Sequence, residues 1–257
     1  MIFSKPTENL TGITLEGDLN DFYEIVEAIY RMTGIEESYK DPYWGVENRL
    51  LGLCYDIRHA YMGDREIRII ENGVDDELMR CHSTILPKKA VHYCANCLFP
   101  EAVFVAFSIY ELCIRSRIYY GNKGKRTEEI DLPPLKYSDY LKDKALLELL
   151  AATILDSLAE VIGADEFEKL LQIKNRQYES IFMGYATQYV DKCNIEYLKT
   201  PIEKRKDKIR NISKRLLQKP DAYKNMKYDL ENAARSYGCS YHEIHDSRLN
   251  YPEEIEW

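Results

Sequence analysis

Arg49, Gly52, Asp56, His59 and Gly63 follow one another at spacings of three, four, three and four, so a helix through this stretch aligns them along one stripe. Asp64, Arg65 and Glu66 come directly after. Acids, guanidiniums and an imidazole at one cleft edge are the ingredients of metal-assisted hydrolysis of a phosphate-containing substrate. In that reading Asp56, His59, Asp64 and Glu66 are catalytic, with His59 as general base or metal ligand and Asp56 or Asp64 orienting it or sharing the metal. The scaffolding reading pairs Asp56 with Arg49 or Arg58, sets His59 against the carbonyl end of the helix, and packs Gly52 on another helix. Surface pairs of this kind are common, and scaffolding is the preferred reading. A glycine in a helix interior costs about 0.8 to 1 kcal/mol relative to alanine, so Gly52 calls for a packing or close-approach explanation. A nuclease carboxylate pair fits less well, because Glu66-Ile67-Arg68 has arginine where that chemistry uses lysine.

A second cluster is Cys81, His82, His92, Cys94 and Cys97. Cys-x-x-Cys is a metal or redox spacing, and a hairpin that brought Cys81 to His92, Cys94 and Cys97 would assemble a zinc site. There is no second Cys-x-x-Cys, and Phe99-Pro100 occupies the helix start where a redox dithiol would sit. Buried thiols are the expectation, with no cofactor, and zinc or another divalent metal is the alternative. A third cluster, Cys239, His242, His245 and Asp246, holds two histidines three apart. Gly238 followed by the Ser240-to-Glu243 capping box explains that segment equally well as a helix restart.

Between Lys199 and Lys219 there are nine basic and two acidic side chains. Lys204, Arg205, Lys208, Arg210 and Arg215, with Lys206 and Lys214, form the cationic exterior of an amphipathic helix that could meet phosphate or an acidic partner. Nucleic acid is the less favoured partner because base-stacking aromatics are missing from the stretch itself. A solvated face, or one paired with the protein's own acidic first third, is the plainer account. Tyr251, Ile255 and Trp257 alternate with acids in the last seven residues and read as a hydrophobic anchor. Docking on the parent body is expected ahead of docking on a protein partner.

These groups sit in a chain of 257 residues that is 45% apolar, enough for a real core and for one large or two small domains. The 43 acidic and 35 basic side chains leave a net charge of −8, which argues against bulk attraction to nucleic acid or anionic membrane. The first six residues lack the basic segment and the run of about 7 to 15 apolar residues of a secretory signal. The apolar stretch Ala102 to Tyr110 is about half a membrane span. The seven cysteines are an odd set without the density of a disulfide scaffold. A cytoplasmic location without membrane contact is therefore expected.

Local patterns supply the elements. Ile13 to Glu16 alternates as a strand, and Asp18 caps a helix with apolar positions Leu19, Phe22, Ile25, Val26, Ile29 and Tyr30, closed by Gly34. Glu36 to Trp44 reads as a surface loop. A helix over 45–61 buries Leu50, Leu53, Cys54, Ile57 and Tyr61 and stops at Gly63. Glu66 to Glu71 reads as a strand with Ile67 and Ile69 inward, and Asn72-Gly73 is a turn. Asp75 to Arg80 reads as a short helix, and Ile85 to Tyr93 as two extended pieces. Pro100 opens a helix almost without a polar face, the best candidate for the central core element. Gly121 to Arg126 with Pro133-Pro134 marks the one plausible internal boundary. Helices then follow over 141–162, 166 to about 192, 201–217 and 221–237.

The runs Leu51 to Ile67, Leu98 to Phe104, Tyr251 to Trp257 and Thr7 to Ile13 resemble an uncharacterised bacterial family, a domain of unknown function, over the whole chain. That resemblance implies an intracellular bacterial protein and names no substrate, cofactor or catalytic residue. No glycine-rich phosphate loop, Gly-x-Ser-x-Gly elbow or His-Glu-x-x-His helix is present. The expectation is an α+β fold, mostly α. It has a small, mainly antiparallel sheet with flanking helices in residues 1–120, followed by a helical lobe over 137–257 in one compact domain. The expected function is binding or regulation, with a metal-assisted hydrolase or nuclease as the alternative.

Overall fold

The computed structural model describes residues 1–33, 41–120, 135–176 and 179–257. The expected helix end at Gly34, most of the Glu36-to-Trp44 loop and the expected boundary at 121–134 lie outside the described residues. Strands β1 (Phe3–Pro6) and β2 (Gly12–Gly17) precede helices α1 (Leu19–Thr33) and α2 (Trp44–His59). A single π-helical turn at Ala60–Asp64 leads from α2 into β3 (Ile67–Glu71), α3 (Asp76–Cys81) and β4 (Lys89–Leu98). Helices α4 (Phe99–Ser116), α5 (Tyr137–Ile162), α6 (Ala164–Asn175), α7 (Gln188–Leu198), α8 (Ile202–Gln218) and α9 (Asp221–Tyr237) complete an α+β, mostly helical fold.

Local chemistry sets several boundaries. Asp18 Oδ1 accepts from the Asp21 amide at 2.8 Å, and Asp21 Oδ2 accepts from the Asp18 amide at 3.1 Å, a reciprocal cap at the start of α1. Gly63, at φ +91°, takes the left-handed conformation that ends the π-turn. Asp75 caps α3 through the Leu78 amide at 2.7 Å.

The sheet order is β1-β2-β4-β3, antiparallel throughout. Cross-strand register puts Ile13, Leu15, Ala95 and Cys97 on one face, against helices that back β1, β2 and β4. Thr14, Glu16, His92, Cys94 and Asn96 share the other. Ile67 and Ile69 were expected inward, yet they are 49% and 69% exposed. They lie on the helix side of the sheet, but β3 is an edge strand, and Ile69 with its register partner Val91 stays uncovered. Leu19 and Tyr30 on α1 are also exposed, and the two extended pieces expected near Pro87 are instead the single strand β4.

Helix α4 is the central core element, with every residue from Ala102 to Ile109 buried. Phe104 packs at 5.3 Å from Phe182 and 4.9 Å from Tyr185, ring centre to ring centre. One hydrophobic cluster runs from Ile2 to Leu230, so both halves of the chain share a core. The helix expected from Glu166 to about Lys192 ends instead at Asn175, and α7 begins only at Gln188. The amides of Ile181 and Phe182 donate to the Glu111 carboxylate at 2.8 and 3.1 Å, and the Ser180 hydroxyl bonds it too. Donors committed to α4 in this way cannot also build a helix. None of the described helices is long and apolar enough to cross a membrane.

Candidate functional site

Two adjoining cavities, of about 520 and 640 Å³, lie beside the outer stripe of α2 and meet at Asp56, Cys97 and Glu101. Together they form a trough. Arg49, Gly52 and Asp56 make its α2 wall, while Cys97 and Glu101 bring in the end of β4 and the first turn of α4. A Cβ built on Gly52 would meet no atom within 4 Å. Gly52 therefore packs on no other helix, contrary to the scaffolding expectation, and its missing side chain leaves the trough wall open.

The segment after α9 closes the trough. Tyr251, Ile255 and Trp257 line one cavity, and His242 to His245 line the other. The Asn9 side chain donates to the Trp257 carbonyl at 3.0 Å, the Thr11 hydroxyl donates to the Glu256 carbonyl, and the Trp257 ring lies against Gly12. The aromatic tail thus docks on the protein's own body. Of the capping box expected at Ser240 and Glu243, the Ser240 amide donates to Glu243 Oε2 at 2.7 Å, while the Ser240 hydroxyl accepts from the His242 amide at 3.3 Å and the Glu243 amide donates to the Ser240 carbonyl at 3.0 Å. They frame a turn and not a helix restart.

Beneath the trough lies a half-buried polar network. Arg49 Nη1 donates to Glu101 Oε2 at 3.1 Å and to Asp191 Oδ1 at 2.8 Å, and Nη2 bonds Asp191 Oδ2 and donates to the Thr187 carbonyl at 2.9 Å. Asn194 Nδ2 donates to Glu101 Oε2 and to the Tyr251 hydroxyl, both at 2.9 Å, and that hydroxyl donates to Asp191 Oδ1 at 2.8 Å. Burial pushes the Glu101 carboxyl above its usual range, against the pull of Arg49 and Asn194. Burial, with Glu101 and Asp56 nearby, holds the Cys97 thiol well above its ordinary value. Such a thiol is a poor nucleophile.

Of the proposed catalytic residues, Asp56 and Glu66 reach the same cavity and His59 and Asp64 do not line it. Each is engaged by a neighbour. Arg65 donates to Asp56 Oδ1 at 3.2 Å, Arg68 holds both Glu66 oxygens at 2.7 and 2.8 Å, and His59 Nδ1 lies 2.6 Å from Asp64 Oδ2. The pairing of Asp56 with Arg65 replaces the expected pairing with Arg49 or Arg58. Arg58 instead donates to the Tyr30 hydroxyl at 3.2 Å.

The second cluster is dispersed. Cys81 is exposed at the end of α3, His92 Nδ1 lies 3.1 Å from Glu16 on one sheet face, and Cys97 is buried on the face opposite Cys94. Adjacent positions on a strand point to opposite sides, so the side chains of residues 94 and 97 leave β4 on opposite faces. His242 packs 5.1 Å from the Trp44 ring and 4.0 Å from the Tyr241 ring, while His245 is exposed and Asp246 binds Arg248. Among the described residues no three of His, Cys, Asp and Glu come together in a way that could hold a metal ion.

The basic helix α8 turns most of its charge inward. Arg205 is buried, with Nη1 donating to the Asn9 carbonyl at 2.6 Å and to the Thr11 hydroxyl at 2.7 Å. Lys208 and Arg215 pair with Glu196 at 3.1 and 2.7 Å. Arg210 lies 3.1 Å from Asp207, and Lys214 lies 3.2 Å from Glu166. Lys204 remains exposed. The acids that meet this face come from the helical half of the chain, not from the acidic first third. Sequence reasoning passed over Glu101, Asp191 and Asn194 as site residues and read Tyr251 only as an apolar anchor; the one signal was Asn194, a polar residue among the apolar positions of α7.

A model of the family described as Domain of unknown function (DUF6904) matches residues 2–257, and the chain belongs to that family. No curated protein and no solved structure matches it.

Proposed function

For this member of the family we propose a binding or regulatory role in which the trough beside α2 holds a small-molecule ligand without covalent chemistry. The observation that carries this reading is the continuity of the two cavities at Asp56, Cys97 and Glu101, with Gly52 on the wall of the second. A residue with a side chain there would favour the helix by about 0.8 to 1 kcal/mol, and glycine instead keeps the wall open. Deep, partly apolar concavities with a few convergent polar groups are the usual form of ligand sites. The groups that a hydrolase would use are each held by a neighbouring side chain, which favours binding over catalysis.

The test is thermal unfolding and titration calorimetry of the full chain with putrescine, spermidine, 1,4-butanediol, glucose, succinate and phosphate. Each is repeated on Gly52→Phe, whose ring occupies the second cavity up to its junction with the first, and whose fold is checked by circular dichroism. The reading expects at least one compound to raise the melting temperature of the native chain and to lose that effect in Gly52→Phe. Binding by none, or binding that survives the filled trough, overturns it.

A further inference from the structure

We propose that the trough takes an organic ammonium ion, and that an amino group of the ligand sits beside Glu101 between α2, α4 and the tail. This rests on the binding role above and adds the chemical class of the ligand. One guanidinium, Arg49, faces two carboxylates, Glu101 and Asp191, so the network holds one negative charge more than it neutralises. An uncompensated buried carboxylate is costly, and it either takes a proton or gains a cation. Burial raises the Glu101 carboxyl above its usual range despite the pull of Arg49 and Asn194, and Asp191 adds to that rise.

Asn194 supplies a second, independent observation. It is 1% exposed, lines the cavity, and its Oδ1 is buried without a hydrogen-bond partner. Its amide cannot be turned over to cure this, because the oxygen would then face the Glu101 carboxylate that Nδ2 now serves. The network is thus short of donors as well as of positive charge. An ammonium group brings three donors and one charge.

The wall opposite carries the rings of Tyr251 and Trp257. Aromatic faces beside carboxylates are the chemistry that recognises organic ammonium ions. Further along, Asp56 and Glu66 line the first cavity but are already paired with Arg65 and Arg68, so Glu243, on the second cavity, is the acid left for the other end of a linear diamine.

Titration calorimetry of the full chain with putrescine, against its neutral isostere 1,4-butanediol, tests the assignment. Putrescine is expected to bind at least ten-fold more tightly than the diol. Glu101→Gln is expected to weaken putrescine at least ten-fold, and Trp257→Leu several-fold. The second variant carries the test if circular dichroism shows that the first does not fold. Lowering the pH is expected to weaken binding as Glu101, set among Arg49, Asp191, Asn194, Tyr251 and Cys97, takes up a proton. Equal affinity for putrescine and the diol, or unchanged affinity in the variants, overturns the ammonium assignment. A neutral or anionic compound that binds and is lost in Gly52→Phe leaves the binding role standing and overturns the ammonium class alone.

Discussion

Arg49 on α2 grips Asp191 on α7 across 142 residues of sequence, with Nη1 2.8 Å from Oδ1 and Nη2 on the second oxygen. This fork joins the two halves of the chain directly under the trough. Because Glu101 shares the same guanidinium, the pair sets both the packing of α2 on α7 and the charge that an incoming ligand meets.

Removing the guanidinium strands two carboxylates. Arg49→Met is expected to cost about 3 to 5 kcal/mol in urea denaturation, the usual penalty for breaking a buried pair from one side. Adding Glu101→Gln and Asp191→Asn to the same chain should recover most of that loss. A triple variant no more stable than the single one would show that packing, not charge, sets the cost.

Gly52 gives an effect of the opposite sign. With nothing within 4 Å of its absent side chain, Gly52→Ala should stabilise the protein by about 0.8 to 1 kcal/mol through helix propensity. A drop in the denaturation midpoint would mean that the open wall does not persist in solution.

Gly12 should behave in the reverse way. A Cβ there would lie 1.9 Å from the Cys97 carbonyl oxygen, which is backbone and cannot step aside. Gly12→Ala is therefore expected to destabilise by about 3 kcal/mol, the upper end of overpacking costs. It should also raise the exposure of Trp257, read by its fluorescence.

His242 makes the docking of the last segment sensitive to acid. Burial, with Lys227 nearby, lowers its folded value from 6.5 to about 4. Stability from the neutral ring is complete above pH 6.5 and is lost as the pH falls towards 4, because the unfolded chain takes up the proton first. Allowing for its partial exposure, the loss is about 1 to 2 kcal/mol. His242→Gln should flatten that part of the curve of denaturation midpoint against pH, and an unchanged curve would contradict the assignment.

Within the basic helix, Arg205→Ala should cost about 2 to 3 kcal/mol by leaving the Thr11 hydroxyl and the Asn9 carbonyl without their donor. Lys204→Ala should stay within about 0.5 kcal/mol. Equal effects would mean that α8 does not seat Arg205 in the core.

The sequence by itself determined those features that arise between neighbours in the chain. Asp18 and Asp21 start α1, Gly63 stops the turn after α2, Pro100 opens the apolar α4, and the alternation of Ile13 to Glu16 makes a strand. Each depends on contacts a few residues apart, which periodicity and turn chemistry report. The stripe of Arg49, Gly52 and Asp56 was legible for the same reason. Tertiary structure decided the rest. Ile67 and Ile69 alternate like core residues, but their exposure follows from the place of β3 at the edge of the sheet. The segment from Ser180 to Thr187 has a helical pattern, but the Glu111 carboxylate takes the Ile181 and Phe182 amides and the Pro42 carbonyl takes that of Gly184. Arg49 meets Asp191 only because α4 packs against α7 and brings α2 with it, and no local spacing encodes a partner 142 residues away. Short-range order is fixed by backbone geometry and side-chain period, whereas the pairing of buried charges depends on which helices share the core.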